Sequence, residues 1–245
     1  MKNIQRSETD DSPLQRIVQD HMRECGSKLT TNHIVLVLQE AIVRGIFGPG
    51  RALRQDELAL LLGVSKIPVR EALRTLEARG FVALPQNRGA VVRELSLTQL
   101  REAFDLRQML EPQLIRAAVS RLTDAELLAA AELVQRMEYE RNAWAFSKLN
   151  ARFHETLYEA ADKPLSMEIL RMLQGHIQRM SFMQLSLAGA NRSANHDHRD
   201  ILEACRNRSV DTAEQLVAKH VAAVRRTVLQ LYAEHYAGCS PEQRS

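Results

Sequence analysis

Residues 64–80 read VSKIPVREALRTLEARG. Ser65 suits a helix N-cap, Pro68 fits the first turn, and Gly80 closes the segment. On a helix, Val69, Leu73 and Leu76 fall on one inward stripe, while Lys66, Arg70 and Arg74 lie four apart on another face. A basic stripe alone also describes a solvated surface, so the neighbours decide. Upstream, TTNHIVLVLQEAIVRGIF (30–47) reads as a helix stopped by Gly48-Pro49-Gly50, and QDELALLLG (55–63) as a second, short helix. Downstream, FVALP (81–85) and GAVVREL (89–95) are β-prone runs separated by QNR, a hairpin pattern. The order helix, helix, helix, hairpin suits a winged helix-turn-helix. Its third helix would enter the major groove of DNA, and Asn87, Arg88 and Gly89 would form the wing tip.

Charge supports the same division. Residues 28–94 contain ten Lys/Arg against six Asp/Glu, a net of +4, whereas the whole chain of 245 residues carries +3. The remainder therefore sums to about −1, and the basic character is local. The three cysteines, Cys25, Cys205 and Cys239, are far apart and odd in number, which argues against a disulfide scaffold and for a reducing compartment. No apolar run approaches the length of a membrane span and no signal peptide is visible, so a cytoplasmic protein with no membrane partner is expected.

The expected organisation has four parts. Residues 1–27 are a mobile polar arm with a short helical piece around Leu14–Met22, and 28–94 form the winged helix. Residues 95–237 form an all-α bundle of six or seven helices, and 238–245 a frayed tail. Thr123 and Glu126 form a capping-box pair, Pro112 should kink or shift its helix, and Pro164 should start one. The fold class is mainly α.

Eight histidines occur, and two are near neighbours in NHDHRDILEA (195–204). Positions two apart on a helix point about 200° away from each other. His196 shares its face with Arg199, Asp200 and Glu203, and His198 with Ile201, Leu202 and Cys205. Helix phase therefore gives His196 to solvent and His198 to a core. His154, in LNARFHETLYEA, and His220, in LVAKHVAAV, also sit on apolar stripes, and Asn150 is in register one turn before His154. Two readings stand: three core histidines with satisfied hydrogen bonds, or three imidazoles around a divalent ion such as zinc or nickel. His176 lies near Met172, Leu173, Met180 and Met183, where it either lines the same cavity or simply packs.

The segment 45–92, GIFGPGRALRQDELALLLGVSKIPVREALRTLEARGFVALPQNRGAVV, resembles the winged-helix domain of the GntR family of bacterial transcription regulators. The resemblance implies operator contacts at Ser65, Lys66, Ile67, Arg70 and Gly89. Two positions depart from the pattern. Asp56 stands where a DNA-touching arginine is common, and Ile67 replaces a usual threonine. Asp56 has no means of holding a phosphate. Ile67 offers a thymine methyl an apolar contact, which implies an altered operator.

The motifs N..FH..L (150–157), DHRDILEA (197–204) and AKHV (218–221) resemble the FCD ligand-binding domain of the FadR-type branch. That resemblance implies a divalent metal, zinc with nickel or manganese as alternatives, held by His154, His198 and His220, with Asn150 at a usually acidic position. Three neutral imidazoles and a neutral amide would leave the ion its double positive charge, which favours an anionic effector such as a small carboxylate. Arg107, in DLRQMLEPQLIRAA, matches an arginine that often faces the FCD pocket. It either clamps such a carboxylate or pairs with Glu111 four residues on.

The expected protein is therefore a homodimeric transcription repressor, not an enzyme, with operator DNA as its partner and a small effector as its switch. Rival readings are a metal sensor, a regulator with a structural metal, and a metal-dependent hydrolase. The hydrolase lacks a positioned base, because Glu155 points about 100° away from His154.

Overall fold

The computed structural model describes residues 13–26, 29–85, 89–94, 96–188 and 191–236. Asn87 and Arg88, like residues 1–12 and 237–245, lie outside them. The chain divides into two compact units, Met1–Glu94 and Leu95–Ser245.

In the first unit, α1 (Pro13–Cys25) occupies much of the stretch read as an arm. It is amphipathic, and it buries Leu14, Ile17, Val18 and His21 as it packs on α2 (Thr31–Val43). His21 Nε2 lies 3.0 Å from Glu40 Oε2 inside that contact, and Glu40 also takes Arg44 at 2.6 Å. Thr30 caps α2 through a capping box with His33. The helix stops at Arg44, followed by Gly45 at φ +79°, before the Gly48-Pro49-Gly50 turn is reached.

Next come β1 (Ala52–Leu53), α3 (Gln55–Leu62) and α4 (Lys66–Ala78), then β2 (Val82–Ala83) and β3 (Ala90–Val92). The strands form an antiparallel sheet in the order β1-β3-β2. Ala52 pairs with Val91, and Val82 with Val92. The hairpin read from sequence is β2–β3. β1 is an addition, because two residues carry no periodicity to read. α4 buries Val69, Ala72, Leu73 and Leu76, which locks the helix to its unit and fixes which face points outward.

The second unit contains six helices among the described residues: α5 (Leu97–Ala118), α6 (Asp124–Tyr139), α7 (Ala143–Glu159), α8 (Pro164–Ala188), α9 (Asn191–Arg206) and α10 (Val210–Tyr236). Capping boxes start α5 (Ser96 with Gln99) and α6 (Thr123 with Glu126). α5 runs on through the buried Pro112 rather than ending there, and α8 begins at Pro164. One continuous core, with Phe104, Leu114, Ile115, Phe146, Phe153, Leu157 and Tyr158 in it, is shared by all six helices. None of the described helices is long and apolar enough to cross a membrane.

Candidate metal centre and DNA-reading face

α7, α9 and α10 each bring one histidine to a common point. The ring centroids of His154, His198 and His220 form a near-equilateral triangle with sides of 5.1, 5.0 and 5.2 Å. One potential ligand atom from each ring lies within 4.8 Å of the others, and all three residues are buried. Helix phase explains why each faces inward. His198 follows the apolar stripe of Ile201, Leu202 and Cys205 and is 0% exposed. His196 has its side chain 74% exposed and pairs with Asp200 at 3.0 Å. Phe153 walls the cluster, its ring 5.1 Å from that of His154 and 5.0 Å from that of His198.

Burial sets the protonation. It holds His154 well below the ordinary histidine range, with the charges of His198, His220 and Arg107 adding to the effect. His198 is lowered in the same way, by burial first and then by His220. Both are neutral imidazoles at neutral pH, each with one N–H and one lone pair. Neutral imidazole is the form that ligates a cation.

Hydrogen bonds then assign the lone pairs. Asp197 Oδ2 sits 3.2 Å from His220 Nδ1. A carboxylate only accepts, so His220 donates from Nδ1, which leaves Nε2 as the nitrogen that would meet an ion. The bond to His220 in turn lowers the Asp197 carboxyl. His154 Nδ1 lies 3.3 Å from Tyr158 Oη, whose O–H is given to Glu111 Oε2 at 2.9 Å. His198 differs from both: its two ring nitrogens are buried without a hydrogen-bond partner among the described residues. An unsatisfied buried polar group costs about 1–3 kcal/mol, and natural cores rarely leave one without a reason. An ion bound at its lone pair would supply that reason for one of the two nitrogens, so the donor set fits a divalent metal. Cys205 is not among the residues whose ligand atoms converge there, and burial pushes its thiol up to about 12.

The other predicted site residues are placed as follows. Asn150 is half-buried on α7, one turn before His154, and its amide makes no side-chain hydrogen bond among the described residues. Arg107 and Glu111 form a buried ion pair on α5, Nε to Oε1 at 2.5 Å, so the structure contains the local pairing that sequence left open. Removing one member of such a pair costs about 3–5 kcal/mol, because the other is left as an uncompensated buried charge. His176 is half-buried on α8 and lies outside the three-histidine group. Glu155 is engaged by Arg152 at 3.1 Å and Arg171 at 2.7 Å, which removes it as a base beside the cluster. Sequence reasoning missed Asp197 and Tyr158 as partners of the histidines. The i, i+4 spacing of His154 and Tyr158 was the available signal.

In the first unit, Ser65, Lys66, Ile67, Arg70 and Arg74 are all exposed on α4, and Ile67 is 59% exposed despite its apolar side chain. Ser65 occupies the N-cap position, yet its hydroxyl makes no capping bond. The residue is exposed, so the hydroxyl is open to solvent. Lys66 Nζ is held at 2.7 Å by Asp56 Oδ1 across the turn. Gly89 closes the hairpin at φ +69°, a left-handed conformation that favours glycine. Ile67, Arg70 and Arg74 share an exposed face of α4, with the Ser65 hydroxyl at its N-cap, and these are side-chain types that base edges and phosphates accept.

Residues 30–92 match the model of bacterial regulatory proteins of the gntR family, and residues 102–223 match the FCD domain. The chain belongs to the GntR family. It is 30% identical over 161 residues to an HTH-type transcriptional regulator in the TAR-I ttuE-ttuC' intergenic region of Agrobacterium vitis, covering 61% of this chain and 89% of that one. Over 205 residues it is 27% identical to the HTH-type transcriptional repressor RspR of Escherichia coli, covering 82% and 90%. A crystal structure of a GntR-family member from Pseudomonas syringae is 28% identical with a TM-score of 0.55, covering 93% of this chain and 99% of that one. This GntR-family chain is thus a DNA-binding transcription regulator rather than an enzyme.

Proposed function

We propose that this regulator is a cytoplasmic homodimeric repressor whose operator affinity is set by a small carboxylate bound at a metal centre in its helical domain. Residues His154, His198 and His220 would hold the ion, zinc or else nickel or manganese, with the Asn150 amide as a fourth, weaker ligand. The observation that carries this is the fully buried His198, whose ring nitrogens have no hydrogen-bond partner among the described residues and whose neutral ring has a lone pair to give, beside the rings of His154 and His220. A divalent ion there supplies a positive centre with open positions that an anion can fill.

Arg107 would contribute its guanidinium nitrogens beyond Nε, which Glu111 already takes. Its charge is felt at His154, which puts it within electrostatic reach of the same anion. His176 would line the approach from α8. On the DNA side, Ser65, Ile67 and Arg70 would meet base edges. Lys66, Arg74, Asn87, Arg88 and Gly89 would secure the backbone and the wing. Two heads reading a palindrome give the operator its symmetry, and an effector acts by favouring one arrangement of the helical domain.

The test is operator binding by the full chain with and without chelator, followed by a thermal-shift screen of sugar acids, hydroxy acids and dicarboxylates on the zinc-loaded protein. The proposal expects chelation to abolish the response to the stabilising carboxylate. A response that survives chelation would leave the metal structural. If the metal alone changes operator affinity and no carboxylate does, the ion itself is the signal.

A further inference from the structure

The three histidines do not stand alone in the core. His154 on α7 touches Tyr158 one turn later, Tyr158 touches Glu111 on α5, and Glu111 touches Arg107 one turn earlier. All four residues are buried, and Glu111 is 0% exposed. Burial, then the adjacent Glu111 carboxylate, hold the Tyr158 phenol protonated. Its single O–H goes to Glu111, so its oxygen has only lone pairs to offer His154. His154 must then carry its proton on Nδ1 and present Nε2 to the cluster.

We infer that Tyr158 and Glu111 are positioning residues for the metal centre, a buried relay that fixes the tautomer and ring orientation of His154 and neutralises Arg107 beside it. Two consequences follow from the chemistry. Without the Tyr158 hydroxyl, the His154 Nδ1 proton loses its acceptor and the ring is free to take the other tautomer. Without the Glu111 charge, Arg107 stands uncompensated close to a dication. Metal ligands whose outer partners are removed lose affinity by about tenfold to a hundredfold. The relay also joins the centre to α5, the first helix of its unit. Asp197 plays the matching part for His220.

The inference rests on the three histidines being metal ligands, and its test separates the two. Zinc affinity is measured by chelator competition on the full chain for wild type, Tyr158→Phe, Glu111→Gln and the double variant, with nitrogen NMR of the histidine rings in the metal-free proteins. Tyr158→Phe should bind zinc about tenfold more weakly and Glu111→Gln at least as weakly, and the double variant should fall short of the product of the two. Metal-free wild type should show the His154 proton on Nδ1, and Tyr158→Phe a mixture of tautomers. A merely structural role would lower the melting temperature and leave affinity and tautomer unmoved. If wild type takes up zinc while both single variants bind it within twofold and keep the tautomer, the relay is overturned and the metal reading stands. If wild type takes up no zinc, both fall. Should Glu111→Gln fail to fold, Tyr158→Phe, which removes one oxygen from a retained ring, decides the matter alone.

Discussion

The exposed face of α4 and the buried cluster of α7, α9 and α10 use polar side chains under opposite conditions. On α4, Lys66, Arg70 and Arg74 stand in water, where hydration leaves no debt, and the Asp56–Lys66 pair is worth little. In the helical unit, His154, His198, Glu111 and Arg107 have been taken out of water, so every lone pair and N–H must find a partner. The lesson is where to look for function. On the exposed face, the candidate DNA contacts stand out as an excess: an exposed Ile67 and a Ser65 hydroxyl that caps nothing. In the core, the candidate metal ligand stands out as a deficit, at the two nitrogens of His198.

The contrast breaks most visibly at Arg70. Arg70→Ala should weaken operator binding by about tenfold or more and make the salt dependence shallower by about one counterion, while leaving metal content and melting temperature as they were. Titration of affinity against salt checks this. Unchanged binding would mean that α4 is not the reading helix.

Acid should act on the core and spare the head. In chelated protein, His154 and His198 sit well below their ordinary value of 6.5 because burial, ahead of neighbouring charge, disfavours the protonated ring. Unfolding exposes both rings and restores ordinary titration. Below 6.5 the unfolded chain therefore binds more protons than the folded one. Stability linked to these rings is present above that pH and is lost as pH falls from it through the lower folded values. Urea midpoints between about pH 7.5 and 5.5 should drop for wild type and fall less steeply for His198→Ala. A flat wild-type profile would show that the rings are not buried neutral.

The smallest effect is expected at Asp56. Asp56→Asn frees Lys66 and should steepen the salt slope of operator binding by less than one counterion, with a stability change under about 1 kcal/mol by urea titration. A larger stability loss would mean that this exposed pair organises the turn.

Much of this was legible in the sequence, and the limits have physical causes. The 3.6-residue period separates His196 from His198 and puts Val69, Leu73 and Leu76 of α4 inward, because helix phase is a local property. The pairing of Arg107 with Glu111 was visible as one of two options for the same reason. The bond from Tyr158 to Glu111 spans 47 residues, and that from Asp197 to His220 spans 23, so neither follows from any local period. β1 escaped because two residues make no pattern. The helical piece around Leu14–Met22 was legible as α1, but it was read as part of a mobile arm because its four buried residues gain a partner only when α2 lies beside them.

The most direct test of the central claim is metal content per chain for wild type, His198→Ala and His196→Ala, purified from zinc-supplemented cells and measured by elemental analysis. The account predicts about one ion per chain in wild type and His196→Ala and loss of the ion in His198→Ala, with all three folded by circular dichroism. Equal loss from both variants, or full retention in His198→Ala, would contradict it.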